Sequence, residues 1–262
     1  LGMKSGDIFN KEDFEIALAN EVSPLYRDEG YFYSQIEPTL IPIGIDSLDI
    51  NFQIVENEIV NIRKILISGN EKTHENVVRR ELMVFPGDIF SRKKLLDSYR
   101  DVFMLNFFDN VLPNVVPIDD DEIDLDITLK EKSSDKASAN IGFTGIYGMT
   151  GGANVEFNNF QGRGQVLSVG FEVGTQMSVM NNYGTPGKYE SFNIRFMDPM
   201  FRDTPNRIGF SIFYTFRGQG NSYYFYPFDQ RSRGASIQWG RRLKWPDDYF
   251  RAYWEMTVRK AE

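Results

Sequence analysis

The sequence predicts α+β modules of β-α-α-β-β order, followed by the N-terminal strands of an antiparallel transmembrane β-barrel. Three observations predict it: an internal repeat in the first half, ten-residue alternating segments in the second, and an abrupt change of composition between them. Residues 1–136 carry 15 Lys+Arg against 27 Asp+Glu, while residues 137–262 carry 14 against 10. Aromatic residues split the other way, 13 before position 137 and 25 after it. An acidic front and an aromatic-rich back are different materials, and the polar stretch "KEKSSDKASA" (Lys130–Ala139) marks the junction.

The repeat starts from the tetrapeptide GDIF, which occurs at Gly6–Phe9 and again at Gly87–Phe90. After the first copy, Phe14, Leu18, Val22 and Leu25 fall at helical spacing. After the second, Leu95, Tyr99 and Val102 form the stripe, Leu96 and Phe103 widen it, and Ser91 is the expected N-cap. Periodicity places Phe14, Leu18, Tyr99 and Phe103 in the core. Each helix gives way to matching strands: "PIGIDSLDINFQIVE" (Pro42–Glu56) aligns with "PIDDDEIDLDITLKE" (Pro117–Glu131) at an offset of 75, against 81 for GDIF. Leu48/Ile123, Ile50/Leu125, Phe52/Ile127 and Ile54/Leu129 alternate with polar residues, as half-buried strands do. The second copy is preceded by a strand at Asn61–Asn70 and a short helix at Thr73–Leu82.

Past Ala139 the spacing is that of transmembrane β-strands, seven of them: Ala139–Gly148, Thr150–Phe160, Gln165–Gln176, Tyr189–Asp198, Asn206–Gln219, Ser232–Lys244 and Phe250–Glu262. Leu167, Val169, Phe171 and Val173 alternate with Ser168, Gly170, Glu172 and Gly174. Ile208, Phe210, Ile212, Tyr214 and Phe216 alternate with Gly209, Ser211, Phe213, Thr215 and Arg217. Mid-strand ionisable residues keep to the second face, whereas on the first a cation would cost about 2–4 kcal/mol at the bilayer midplane. Aromatics gather near strand ends, at Tyr223–Tyr226, Phe228, Trp245, Tyr249 and Phe250, as interfacial girdles do. A soluble β-sandwich also alternates, but it would carry ordinary mixed charge on its polar face, which here is rich in Gly, Ser, Asn and Gln.

Several functional classes find no support. The chain has no Cys and a single His, His74, which leaves no disulfide framework, thiolate site or Ser-His-Asp triad to build. There is no GxSxG motif, and no cofactor or metal site is expected. The acidic run Asp119–Asp124 lacks the Gly and the twelfth-position Glu of an EF-hand loop and reads as a hairpin turn. No basic stripe suits nucleic acid. No segment approaches the roughly 20 apolar residues of a membrane helix. Leu1 is not an initiator Met, so the chain is expected to be a piece of a longer protein with a targeting signal upstream.

Tandem modules running straight into a barrel resemble the BamA-type outer-membrane assembly proteins, whose periplasmic modules are called POTRA domains. The residues that carry the resemblance are "ISGNEKTHENVVRREL" (Ile67–Leu82), "PGDIFSRKKLLDSYRDVF" (Pro86–Phe103), "NNFQGRGQ" (Asn158–Gln165) and "FMDPMFRD" (Phe196–Asp203). The last two look like the family's first two periplasmic turns. The resemblance implies a partial penultimate module at residues 1–59, the last module at 60–133, and about the first seven barrel strands at 137–262. It implies a non-enzymatic component of outer-membrane protein assembly, with the barrel in the bacterial outer membrane and the modules in the periplasm. The implied partners are unfolded outer-membrane β-barrel proteins, accessory subunits and outer-membrane lipid.

The resemblance further implies client pairing at two sheet edges. One is the strand near Phe107–Val116, with Phe108, Val111 and Val115. The other is the first barrel strand, "ASANIGFTGIYG", with Ala139, Ile141, Phe143 and Gly145, which in the family forms a lateral gate with the last strand. Gly142, Gly145 and Gly148 weaken that strand as a gate would need; they could equally accommodate barrel curvature. A POTRA-barrel secretion translocator exporting a soluble client shares this architecture and is the alternative.

Overall fold

The computed structural model describes residues 6–144, 148–174, 187–219, 228–243, 245 and 250–262. The chain divides into two units, one of residues 1–71 and 78–131, the other of residues 72–77 and 132–262.

In the first unit, α1 (Lys11–Ala17) starts at Asn10, whose side chain accepts from the Glu12 amide at 3.0 Å, with Glu12 and Asp13 at the positive end of the helix dipole. It runs through a single π turn, Leu18–Val22, into α2 (Ser23–Asp28). Pro24 has no N–H for the carbonyl four residues back, and the widened turn accommodates that loss. The extra residue also rotates the apolar stripe. Phe14 is buried and Leu18 and Val22 half-buried, but the next position inward is Tyr26, while Leu25 is 65% exposed. The expected placement of Leu25 on the stripe is therefore corrected by the π turn. The helices are followed by a hairpin of β1 (Gln35–Ile43) and β2 (Ser47–Val55), paired over its whole length. Phe14 packs against Phe9 and Phe52 with ring centroids 5.5 and 6.0 Å apart.

The second repeat is complete. Its strands β3 (Asn61–Ser68), β4 (Phe108–Pro117) and β5 (Glu122–Glu131) form a sheet of order β3-β5-β4, β3 parallel and β4 antiparallel to the central strand. Between β3 and β4 lie α3 (Glu75–Arg79), shorter than the expected Thr73–Leu82, and α4 (Arg92–Met104). The repeat offsets recur in the elements: α4 follows α1 by 81 residues and β5 follows β2 by 75. Ile123, Leu125, Ile127 and Leu129 are all buried, because β3 and the helices close over them. Their counterparts Leu48, Ile50 and Phe52 in the two-stranded hairpin are only half-buried, and Ile54 is exposed. The aligned patterns are equal; the burial depends on what lies above.

Helix α4 departs from expectation. Its N-cap is Ser91, whose hydroxyl accepts from the Lys94 amide, but the buried stripe is Leu95, Ser98 and Val102. The Ser98 hydroxyl donates to the Lys94 carbonyl and accepts from the Met83 amide, both at 2.7 Å, and this pair of bonds holds the helix against the segment before it. Tyr99 and Phe103, expected in the core, are instead 36% and 44% exposed and stack on each other 6.1 Å apart. A small hydroxyl permits a closer approach than a phenol, so the helix turns one position further than its apolar pattern suggests.

Between β3 and β5, Arg63 donates twice to Asp124, at 2.9 and 2.6 Å. The guanidinium hydrogen bond holds the Asp124 carboxyl below the usual carboxylate range. The lowered pKa means that this contribution to folding is present above the unfolded-chain value of about 3.9 and is lost as pH falls through the folded value. The protection factors of β5 amides, corrected for the intrinsic slowing of exchange in acid, are therefore expected to fall below about pH 4, and Asp124→Asn to abolish that acid-dependent step. Ser98→Ala leaves the Met83 amide without its acceptor and should cost about 1–3 kcal/mol, read as lost exchange protection in α4.

The second unit is a single antiparallel sheet of seven strands in sequence order. They are β6 (Lys136–Thr144), β7 (Gly148–Phe160), β8 (Gln165–Gly174), β9 (Tyr189–Asp198), β10 (Asn206–Arg217), β11 (Gln230–Arg242) and β12 (Arg251–Ala261). β6 begins three residues before the expected Ala139. The expected junction at Lys130–Ala139 is thus mostly strand, since β5 reaches Glu131 and Lys136 already pairs with Glu156. Asn158 ties the remaining residues down, its side-chain amide donating to the Ser134 carbonyl at 2.7 Å.

Candidate functional site

Strand register decides what each face of the seven-stranded sheet presents. Across β8 to β11 one row runs Val169, Ile194, Ile212 and Ala235, and the row beside it Gly170, Asn193, Phe213 and Gly234. The apolar rows are the exposed ones: Phe171, Phe192, Phe210, Ile212, Ile237, Trp254 and Val258 all stand open. Ser168, Ser232 and Ser236, on the polar face, are buried. A water-soluble sheet has the opposite distribution. Hydrocarbon is the medium in which such a surface is stable.

Hydrogen bonds link side chains along the polar face. Ser211 and Ser236 share a hydrogen bond at 2.8 Å, Gln238 donates to Glu255 at 3.0 Å, and Arg259 donates to Ser232 at 2.6 Å. Two glycines make room for larger neighbours. A Cβ at Gly170 would lie 2.6 Å from the Asn193 side-chain oxygen, and one at Gly234 would lie 2.6 Å from the tip of the Phe213 ring. Phe213, the one large apolar residue on this face of β10, is thereby housed over a glycine.

The quoted turns are built by side chains the sequence reading left unassigned. In "NNFQGRGQ", Asn159 has φ 56° and its side-chain oxygen accepts from the Gly164 amide at 2.7 Å. Its amide group donates to the Thr73 hydroxyl at 2.8 Å, within the same unit, and both residues are buried. In "FMDPMFRD", Asp198 accepts from the Met200 amide at 3.1 Å and from Gln165 at 2.8 Å, which fastens this turn to β8. Asn and Asp at turn positions are the only signal that could have identified these roles.

Both expected edges are terminal strands. Among the described residues β4 pairs with β5 on one side only. Phe108 and Val111 are fully buried and Val115 half-buried, so β4 has main-chain groups, rather than these side chains, to offer at its edge. Among the described residues β6 pairs only with β7, over nine residues, as many as between β7 and β8 and between β8 and β9. Ala139, Ile141 and Phe143 lie on its apolar face, Ile141 at 84% exposure, and face Ala153, Gly151 and Met149 on β7. Gly145 lies outside the described residues, as do Tyr223–Tyr226 and Tyr249. Gly148 has φ 69° at the start of β7, a backbone requirement, whereas a Cβ at Gly142 would only touch the Thr150 hydroxyl at 3.6 Å. β12 is the sheet's other terminal strand.

Residues 60–132 match the family "Surface antigen variable number repeat" (POTRA), and residues 159–262 match the "Omp85 superfamily domain". A POTRA module followed by an Omp85 domain defines an Omp85-type outer-membrane protein. Over 241 residues, 91% of this chain and 27% of the relative, the sequence is 26% identical to the outer membrane protein assembly factor BamA of Neisseria meningitidis. The structure superposes on BamA from Haemophilus ducreyi lacking POTRA domains 1–3, with a TM-score of 0.79 at 19% identity, over 99% of this chain and 46% of that one. CdiB from Acinetobacter baumannii has the same general fold, with a TM-score of 0.51 at 17% identity, over 97% and 47%. The chain is a BamA-type Omp85 protein of the outer membrane, with its POTRA module in the periplasm. It spans about a quarter of the length of the curated relatives it matches.

An arginine on the apolar face should be punished where one on the polar face is not. Phe210, whose ring meets Phe196 at 5.2 Å, lies mid-strand on the apolar face. Phe210→Arg is expected to cost about 2–4 kcal/mol in a urea titration of the full-length protein in lipid vesicles. Asn193→Arg, on the polar face three rows away, should cost less than half of that.

Proposed function

We propose that this chain belongs to a non-enzymatic machine that folds β-barrel proteins and inserts them into the outer membrane, pairing client strands with its own sheet edges. The observation that carries the reading is β6: the first strand of the sheet, paired with β7 alone among the described residues, its apolar side chains exposed. An edge strand offers a row of backbone donors and acceptors, which bind an extended segment with little demand on its sequence. In lipid an unpaired row is costly, so the edge must be closed by another strand, either of this protein or of a client. A side chain at Gly142 would meet no crowding neighbour, which favours a seam that opens over a packing constraint. Glycine there lowers the stability of the β6–β7 pairing. The edge of β4 in the POTRA module is the second proposed pairing site, working through its main chain.

On this reading residues 1–59 are the back part of the penultimate module, 60–133 the last module and 137–262 about the first seven strands of a larger barrel. Clients are unfolded outer-membrane β-barrel proteins, and accessory subunits and outer-membrane lipid are the other partners. The likeness to CdiB keeps the POTRA-barrel secretion translocator as the second reading. With Cys at Ile141 or Phe143 in the full-length protein, a disulfide to a stalled barrel client is expected. Absence of any crosslink along Lys136–Thr144 would defeat the gate. Depletion separates the two readings: loss of many outer-membrane barrels supports assembly, loss of one exported protein supports translocation.

A further inference from the structure

The apolar face of the barrel sheet carries few ionisable residues, and their positions are uneven. Among the described residues of the seven strands they are Glu190, Asp198, Arg231, Arg233, Arg241 and Lys260. Three of the four cations gather in one place. Arg231 and Arg233 occupy successive apolar-face positions on β11, and Lys260 of β12 is the register partner of Arg233. Backbone spacing sets the first two about 7 Å apart along the strand and the second pair about 5 Å apart across it. All three side chains are exposed.

Strand direction locates the cluster. β6 enters the sheet directly from the POTRA module, so each odd step in the up-and-down order ends at the opposite rim. The start of β11 and the end of β12 therefore lie at the rim away from the periplasm. Arg231 and Arg241 are ten residues apart, about 33 Å along the strand. A tilt of about 40° reduces that to about 25 Å of height, the thickness of the apolar band of such barrels. Arg241 thus marks the periplasmic boundary, and Arg231 and Arg233 the outer one.

The cluster is not used up by its neighbours. Glu262 is the one carboxylate in contact with it among the described residues, lying 3.7 Å from Arg233 and bonded to Lys260. Arg231 makes no ion pair within 4 Å among the described residues, although its charge also acts on Glu262. Its guanidinium stands 5.6 Å over the ring of Phe216, which holds it against the wall without neutralising it. Glu190, register partner of Phe216, is paired with Lys188 at 2.5 Å. A net cationic excess faces outward at headgroup depth, with Tyr214 and Phe216 beside it as interfacial anchors.

We propose that Arg231, Arg233 and Lys260 form a binding site for a phosphate-bearing lipid headgroup of the outer leaflet. Charge complementarity selects the ligand: two guanidiniums suited to bidentate phosphate contacts and one ammonium converge at the depth where lipid phosphates lie. The aromatic pair beneath them contacts the upper acyl chains. The site secures the outer rim of the barrel to the leaflet, away from the β6 edge.

Native mass spectrometry of the full-length protein in neutral detergent, with phosphatidic acid or phosphatidylcholine of matched chains, tests this. Phosphatidic acid should be retained in preference, and retention should decline with rising salt. R231Q/R233Q/K260Q should weaken it by about fivefold for each cation removed, while R231K/R233K, which keeps the charges but loses the bidentate forks, should fall between the triple variant and the unmodified protein. Equal retention of the two lipids, salt-independent retention by the unmodified protein, or full retention by the triple variant would each overturn the proposal. So would displacement of the lipid by millimolar inorganic phosphate, which would mark a free-anion site.

Discussion

Hydrocarbon cannot hydrogen-bond, and the second unit is organised by that fact. Every backbone polar group of a strand in lipid must find its partner on a neighbouring strand, and every charge must turn away from the chains. The seven strands answer both demands with one device, an antiparallel register broken only by a shift between Phe157 and Phe160 of β7. Register places Ser168, Ser211 and Ser236 on one face, where they bond or lie buried, and Phe171, Phe192, Phe210 and Ile237 on the other, where they stand open. A shift of one residue would reverse both faces at once, so the alternation of the sequence and the pairing of the strands enforce each other.

The same constraint gives the terminal strands their meaning. In the POTRA module an edge such as β4 is merely solvated, and it can wait for a partner at little cost. In lipid the edge of β6 cannot wait in that way. On the proposed function, a strand that lends its edge must pair weakly enough to exchange partners, and the glycine in the β6–β7 ladder suits that. The charges at the rim are subject to the opposite rule: placed at the boundary, cations become anchors instead of penalties.

Within the POTRA repeat, equivalent sequence does not mean equivalent burial. Aligned positions differ through context alone: Leu125 is sealed because β3 lies beside it, whereas Ile50, its repeat partner, is half open in a two-stranded hairpin. Arg63 and Asp124 belong to the same pairing, since a carboxylate can be drawn into the β3–β5 ladder only where a guanidinium completes its hydrogen bonds.

Periodicity was sufficient for the class of each element. Alternation in steps of two named the strands, steps of three and four the helices, and the GDIF offset the repeat, because these patterns record which side chains share a face. The edges were legible only through resemblance, since an edge is the absence of a neighbour and no local pattern encodes it. Phase within the helices was decided by tertiary contacts. Leu25 lost its place to Tyr26 when Pro24 widened a turn, and Tyr99 lost its place to Ser98, whose small hydroxyl could bond the Met83 amide at close range. Likewise nothing in the sequence joined Arg231 and Arg233 to Lys260; only the pairing of β11 with β12 brought them together. Local pattern determines what a segment is, and long-range pairing decides what it faces.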